Sequence, residues 1–301
     1  MTNTTQTKQL DLYQEVTDRI INLIENENIA PWRCTWNKYG LARNYFSGKT
    51  YSGINSLLMN LTEHPIPYFM TFKQVKAKGG NIKKGSKAHR VYYYNVLFKD
   101  SNDNKISREQ AEQIKKQGGK VKVNSFLKYY NVFNIDDVEG LGVFIPEVKL
   151  NHNEKIEKCE NIISSFKDAP SKLFENSDSA YYDPKRDIIN MPDIKQFVIS
   201  EEYYTTYFHE LIHSTGHAKR LSRTGITENN TFRSKAYSKE ELIAEMGASF
   251  LSAYADINYN DITENSAAYI KGWLSVLKED KKFIFKAAAE ASKAVNYILA
   301  K

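Results

Sequence analysis

Cysteine is nearly absent: two occur in 301 residues, Cys34 and Cys159, far apart in the chain. That separation makes neither a disulfide framework nor a zinc site by spacing, and it fits a reducing compartment. Long apolar runs are missing too. No stretch approaches the roughly 18 apolar residues of a membrane span, and Met1 to Lys8 lacks the apolar core of a secretory signal. The expectation is a cytoplasmic chain with no membrane partner. Internal repeats and low-complexity tracts are absent. What is present is 41% hydrophobic and 26% charged residues, the balance of a soluble globular protein, in a chain long enough for two domains.

Histidine is also scarce, six in all, yet His209, His213 and His217 fall within nine residues. The first two belong to His209-Glu210-Leu211-Ile212-His213, an H-E-x-x-H pattern that arises by chance in only about 1 in 100 such sequences. On an α-helix, residues four apart share a face, so both imidazoles can grip one Zn²⁺ from the same side. Glu210, beside the first of them, is placed to take a proton from an attacking water and pass it to a leaving amine. The surroundings read as a helix. Ser200 is the expected N-cap, Glu201 and Glu202 suit the first turn, and Gly216 is the expected stop. Tyr204, Phe208, Leu211 and Ile212 supply the apolar face.

A catalytic zinc takes three protein ligands and keeps an open position. His217 climbs a further turn along the helix, so it converges with the other two only if Gly216 bends the chain back. The next expected helix, Ser238 to Phe250, offers two carboxylates. Ser238 with Glu241 reads as a capping box, which gives Glu241 a structural role. Glu245 lies one turn deeper among Ala244, Gly247, Ala248 and Ser249, small residues that would let two helices pack closely. Glu245 is the preferred third ligand, with Glu241 and His217 as alternatives. His217 then becomes an outer partner or an oxyanion donor.

Charge is unevenly shared. Residues 1–150 carry a net +8 and residues 151–301 a net −2. Thr71 to Arg90 holds seven Lys or Arg and no acid, a polyanion signature. Residues 9–27 read as an amphipathic helix and residues 55–61 as the start of another. Thr71 to Lys78 reads as a short helix stopped by Gly79-Gly80. Val91–Phe98 and Ser125–Phe133 read as an antiparallel strand pair, joined by an exposed polar insertion from Lys99 to Lys122. In the second half, a helix from Glu154 to Phe166 precedes a hairpin at Ala180–Met191 with Asp183-Pro184 in its turn. Two helices, 266–278 and 281–300, close the chain.

Several of these segments together resemble the ArdC-type antirestriction proteins of plasmids and phages. The resemblance rests on Asp11–Thr17, Pro31-Trp32 with Trp36, Arg43-Asn44 through Ser47–Asn55, Thr71–Gln74 with Gly79-Gly80, and Tyr130–Asn134. It continues in Phe208–His217, Glu240–Glu245 and Trp273–Asp280. It implies an α+β protein of two domains. Residues 1–145 would form an α+β single-stranded-DNA-binding domain. Residues 146–301 would form a zincin-like metallopeptidase domain with a small antiparallel sheet and the H-E-x-x-H helix.

It further implies metal ligands at His209, His213 and Glu245, with Glu210 as the catalytic base. Zn²⁺ is the expected ion, although such ligands also take Mn²⁺, Co²⁺ or Ni²⁺. The expected DNA contacts are Arg43, Asn44, Lys49, Lys73, Lys83, Lys84 and Lys87 on phosphates, with Trp36, Tyr45 and Tyr51 stacking on bases. The implied function is protection of incoming DNA from restriction. Two rivals stand beside it: a regulatory protease whose basic domain recruits a protein partner, and a DNA shield whose peptidase domain is only structural.

Overall fold

The computed structural model describes residues 11–26, 41–62, 64–142, 152–173, 179–228, 234–257 and 265–301. Pro31, Trp32, Cys34 and the proposed stacking residue Trp36 lie outside them. So do residues 143–151, where the expected domain boundary falls.

The first half is built on a five-stranded sheet. It contains α1 (Leu12–Asn26), β1 (Arg43–Asn44), α2 (Ile54–Asn60), β2 (Tyr68–Thr71), α3 (Phe72–Ala77) and β3 (Asn81–Ile82). It continues with β4 (His89–Lys99), β5 (Lys105–Ile106), α4 (Arg108–Lys116), β6 (Lys122–Asn134) and β7 (Val138–Glu139). The large sheet runs β1-β2-β6-β4-β5, with β1 parallel to β2 and its other pairs antiparallel. The expected β4–β6 pair forms in full, from His89 opposite Val132 to Lys99 opposite Lys122.

Among the described residues no strand lies beside the outer edge of β4 near Tyr92. The Asn55 side chain fills that role: its amide donates to the Tyr92 carbonyl at 2.7 Å and its oxygen accepts the Tyr92 N–H at 2.6 Å. The Lys99–Lys122 segment differs from expectation, because it carries β5 and α4 rather than an irregular loop. Its cause is local: Ser107 and Gln110 form a reciprocal capping box that starts α4, and Gly118, at φ 78°, ends it.

The second half contains α5 (His152–Ser165), β8 (Ser171–Leu173), β9 (Tyr181–Asp183), β10 (Ile188–Asn190) and α6 (Ser200–Thr215). It ends with α7 (Thr224–Thr227), α8 (Lys235–Ala255), α9 (Asn265–Glu279) and α10 (Phe283–Ile298). The β9–β10 hairpin is antiparallel as expected, but β8 adds to β10 in parallel, so the small sheet is mixed. Helix α6 begins one residue earlier than the expected cap. Ile199 holds the N-cap position with no side-chain hydrogen bond, and Ser200 is already helical. The cap of α8 is Ser234, which accepts from the Tyr237 N–H. Ser238 is therefore buried inside the helix, and Glu241 has no capping role.

One apolar core crosses the midpoint of the sequence. Val16, Ile20 and Ile24 of α1 and Leu57, Leu58 and Met59 of α2 join Phe208, Leu211, Leu251, Trp273 and the Ala287–Ala294 face of α10 in a single cluster. Tyr13 and Tyr92 both pack edge-on against Phe285. Gly53, at φ 57°, turns the chain into α2 and donates its N–H to Ser292 Oγ at 2.7 Å. A cut near residue 145 would therefore strip α1 and α2 of the surface they bury. Among the described residues no helix is long and apolar enough to cross a membrane.

Candidate metal centre and nucleic-acid face

Helices α6 and α8 meet at very close range because Gly247 has no side chain. A Cβ there would lie 2.6 Å from Ile212 Cδ1 and 2.7 Å from its Cγ1. Ala244 and Ala248 are buried in the same seam. This contact sets the distance between the histidines of α6 and the glutamates of α8. His209 and His213 face each other with their Nε2 atoms 3.0 Å apart. Glu241 lies 3.6 Å from each of those two nitrogens, and one donor atom from each of the three residues falls within 4.8 Å of the others. Two imidazole nitrogens at 3.0 Å require a proton or a cation between them, since two bare lone pairs repel. Two imidazoles and a carboxylate in this arrangement are the donor set of a divalent transition ion.

The structure places Glu245, the expected third ligand, outside this three-donor cluster. Its Oε1 lies 3.8 Å from His209 Nδ1, the ring nitrogen opposite the one that faces His213. From there it faces the far side of that ring. The reason is the register of α8. With Ser234 as the cap, Glu241 comes level with the His209–His213 pair, and Glu245 lies one turn beyond it. Glu240, not singled out from the sequence, plays the matching role for the other ring: His213 Nδ1 donates to its Oε1 at 3.3 Å.

Glu240 is in turn held by Arg223, buried at 6% exposure, whose Nε and Nη2 both donate to its carboxylate. Arg223 also donates to Thr215 Oγ1 and to the Ile212 carbonyl. Gly216, the stop of α6, keeps a right-handed φ of −76°. It is small because Arg223 and Ile226 press on it: a Cβ would lie 2.6 Å from Ile226 Cγ1. Glu210 is buried beside His209, near enough to act on its charge.

His217 is not drawn into the three-residue cluster. Its Nδ1 accepts the Lys219 N–H at 3.2 Å and lies 4.0 Å from Asp187 Oδ2. The Nδ1 acceptor role leaves Nε2 as the protonated nitrogen, a donor. Asp187 is anchored by Arg220, which also donates to the Ser214 carbonyl, so the guanidinium ties the hairpin turn to the end of α6. His217 lines a cleft of about 390 Å³ with Pro184, Lys185, Ile226, Glu228 and Tyr237. The Tyr237 hydroxyl also donates to Glu241, which connects cleft and cluster.

The site is strongly polarised. Burial pulls the His209 pKa down, but the Glu241 carboxylate and the charges of Glu210 and Glu245 outweigh it and raise it to about 9. Burial raises Glu241, but the neighbouring His213 and His209 hold it at about 2. Glu240 is likewise lowered: burial opposes ionisation, and the bonds from His213 and Arg223 win.

A consequence follows for pH. A group raised in the folded state adds stability that is complete below its unfolded value and lost as pH rises through the folded one. The metal-free protein therefore loses stability between about pH 6.5 and pH 9. An incoming ion must displace the His209 proton, so its apparent affinity climbs about tenfold per pH unit below pH 9. Calorimetric titration with Mn²⁺ or Zn²⁺ at pH 6, 7 and 8 measures this. A flat affinity across that range contradicts it.

The proposed DNA residues separate into two groups. Lys49, Lys73, Lys84 and Lys87 are exposed, and Lys83, also exposed, donates to the Asp136 carbonyl. Arg43 stacks over Tyr68, and Tyr45 is a partly buried neighbour of the same ring. Asn44 is engaged in building its own turn. Its side chain accepts from Ser47 and exchanges hydrogen bonds with Gln74 in both directions. Tyr51 packs on Phe69, and burial pushes its phenol up to about 12.

A further exposed aromatic surface lies on the face of β4 and β6 turned away from Phe285. Alternation along paired strands puts Tyr93, Asn95, Phe126, Lys128 and Tyr130 on one side. Tyr93 and Tyr130 are 49% and 52% exposed, with ring centroids 5.3 Å apart. They line a groove of about 420 Å³ with Asn44, Tyr51, Asn95 and Lys128. Apart from Tyr130, quoted for the resemblance alone, none of these strand residues was singled out from the sequence. The signal was available: three consecutive tyrosines, Tyr92 to Tyr94, on a strand must point at least one outward.

Comparison with known proteins agrees with both halves. Residues 10–133 match the family model for the N-terminal domain of anti-restriction factor ArdC. Residues 158–290 match that of a zincin-like metallopeptidase. Two DNA primase TraC proteins of Escherichia coli are 32% and 31% identical. The matches take in 96% of this chain in each case but 27% and 20% of those proteins, so the chain spans about a quarter of the longer relatives' length or less. An uncharacterized protein of Sinorhizobium fredii is 28% identical over 99% of this chain and 94% of its own.

Two crystal structures of the antirestriction ArdC protein from plasmid R388 are each 32% identical to this chain. The metal-free form covers 96% of this chain and 97% of its own, with a TM-score of 0.73. The Mn(II)-bound form covers 97% and 98%, with a TM-score of 0.74. With a solved relative matched over nearly its whole length and both family models in place, the chain belongs to the ArdC-type antirestriction family.

Proposed function

We propose that this chain binds single-stranded DNA on its N-terminal sheet and carries a metal-dependent peptidase site, and that together these protect incoming DNA of a mobile element from restriction in the cytoplasm. The observation that carries the DNA half is the open Tyr93–Tyr130 face, with Lys128 beside it and exposed lysines along Lys73–Lys87. Aromatic rings on a sheet stack on unpaired bases, which duplex DNA does not offer, and lysines alongside track phosphates. The primase relatives, whose name also refers to DNA, favour the same reading.

For the peptidase half, His209, His213 and Glu241 would hold one divalent ion. Zinc is the proposed ion, and the Mn(II)-bound form of the R388 relative supports a divalent ion. The bound ion supplies Lewis acidity that polarises a peptide carbonyl and acidifies water. Glu210, buried beside His209, takes the proton of the attacking water and delivers it to the leaving nitrogen. His217 Nε2–H, at the cleft, donates a hydrogen bond to the carbonyl oxygen as negative charge develops there. Glu240 and Arg223 fix the His213 ring.

Fluorescence anisotropy of the full chain with single-stranded and duplex oligonucleotides of equal length, across a salt titration, tests the DNA half. Single strands bind more tightly, with a steep salt slope, and Tyr93→Ala with Tyr130→Ala weakens binding about 10- to 100-fold. Equal affinity for both forms, or none at low salt, leaves the basic segment as a surface for a protein partner. Glu210→Gln separates chemistry from shielding: metal binding persists and peptide cleavage stops.

A further inference from the structure

Two phenylalanines stand half out of the protein close in sequence to the wall of the Tyr93–Tyr130 groove. Phe46 is 50% exposed and Phe72 is 52% exposed. Asn44 and Thr71 line that groove. Phe46 follows Asn44 by two residues, and Phe72 follows Thr71 directly. Both rings belong to one hydrogen-bonded unit. The side chains of Asn44 and of Gln74 in α3 exchange two hydrogen bonds, at 3.0 and 3.2 Å. The Asn44 side-chain oxygen also accepts the Ser47 N–H. Gly48, at φ 69°, closes the turn by donating to the Asn44 carbonyl at 2.8 Å. Thr71 and Gln74 form a reciprocal capping box that fixes the start of α3. The turn that carries Phe46 is thus fastened to the helix that carries Phe72.

Each ring also carries a lysine. Lys78, which ends α3, places its Nζ 5.3 Å from the Phe46 centroid, and Lys76 places its Nζ 5.7 Å from that of Phe72. Lys49 and Lys73 are exposed nearby in the same two segments. Among the described residues none of these four lysines makes an ion pair. No acidic residue occurs between Leu41 and Thr62 or between Thr71 and Arg90. Apolar residues scattered singly over a surface are ordinary. Two rings held in one unit, each under a cation and with no acid in either segment, fit a ligand that has flat apolar faces and a row of negative charges. Single-stranded DNA has both, whereas duplex DNA keeps its base faces stacked inside.

We propose that Phe46 and Phe72, with Lys76 and Lys78, form a second stacking station for single-stranded DNA, which continues the track from Tyr93 and Tyr130 past Asn44 and Thr71. This rests on the single-strand reading of the N-terminal sheet and adds the course of the strand to it. Bases lie on the two phenyl rings and phosphates run beside the lysines. Asn44 is then a positioning residue, because its bonds to Gln74 set where Phe46 stands relative to α3. A short strand fills the groove alone. A longer one reaches both stations, and the second contact is strengthened because the strand is already tethered at the first.

Fluorescence anisotropy of the full chain with oligothymidylates of about 4 to 16 nucleotides tests the second station. Wild-type affinity climbs with length. In Phe46→Ala with Phe72→Ala, the longest strands bind about 10- to 100-fold more weakly, while the shortest lose less than about threefold. Lys76→Gln with Lys78→Gln lowers the salt slope by about 1.4, and the phenylalanine pair leaves it unchanged. Both rings are exposed, so truncation keeps the fold, and an unchanged melting temperature checks this. A direct readout needs no variant: strands carrying iododeoxyuridine, irradiated on the wild type, attach at Phe46 or Phe72, read by peptide mass. Wild-type affinity in the phenylalanine pair at every length, beside weakened binding in Tyr93→Ala with Tyr130→Ala, overturns the second station and leaves the single-strand reading standing. So does attachment confined to other residues, or a patch that binds phosphatidylserine vesicles in place of DNA. A wild type that binds no single strand at any length overturns both.

Discussion

Glu241→Gln costs at least about 100-fold in divalent-metal affinity, whereas Glu245→Gln costs no more than about tenfold. The two residues are one helical turn apart and chemically identical, so the contrast is purely geometric. Glu241 is equidistant from the two facing Nε2 atoms. Glu245 addresses only the rear nitrogen of His209. An amide in place of Glu241 removes the single negative charge the ion meets among the three donors. An amide in place of Glu245 leaves all three donors in place. Isothermal titration of the metal-stripped variants decides the matter, and equal losses would return Glu245 to the ligand set. Glu240→Gln falls between them, because it leaves His213 and Arg223 with a weaker acceptor.

Arg223→Ala produces the largest loss of stability among changes away from the three donors, about 3–5 kcal/mol. Arg223 and Glu240 are 6% and 3% exposed, and the guanidinium makes its bonds to Glu240, Thr215 and the Ile212 carbonyl away from water. Truncating it leaves a buried carboxylate without its counter-charge and a helix-end carbonyl without a donor. For a chain of this size that lowers the melting temperature by roughly 5–8 °C, and metal affinity falls with it because His213 loses its fixed orientation. Arg223→Lys recovers only part of this, since an ammonium cannot reproduce the two-pronged contact. Thermal melts of the metal-free proteins read the effect directly. A change below about 1 kcal/mol would show that Glu240 takes its pairing elsewhere.

The stretches that proved easiest to read were those where local chemistry repeats at the element's own period. The α1 face at Val16, Ile20 and Ile24, the β4–β6 pair and the α6 metal helix all belong here. Where the reading failed, two local signals competed. Ser238-x-x-Glu241 is a good capping box, but Ser234 was free to start the helix four residues earlier. That added turn moved Glu241 from a cap to the metal cluster. The Lys99–Lys122 segment has so few apolar residues that its helix, which buries Ala111 alone, leaves little periodic trace.

The sequence by itself determined the chemistry. His209, Glu210 and His213 on one helix, small residues on a second carrying glutamates, and a basic, acid-free stretch in the first half are statements about residue type and spacing along single elements. Tertiary structure alone decided which glutamate faces the ring nitrogens, that Arg223 reaches back to Glu240, and that Tyr93 and Tyr130 stand exposed together. It also decided that α1 and α2 share a core with α10. These depend on how far apart two elements pack and how each is rotated about its axis. Gly247 against Ile212 and the pairing of β4 with β6 set those quantities, and no periodicity within either partner contains them.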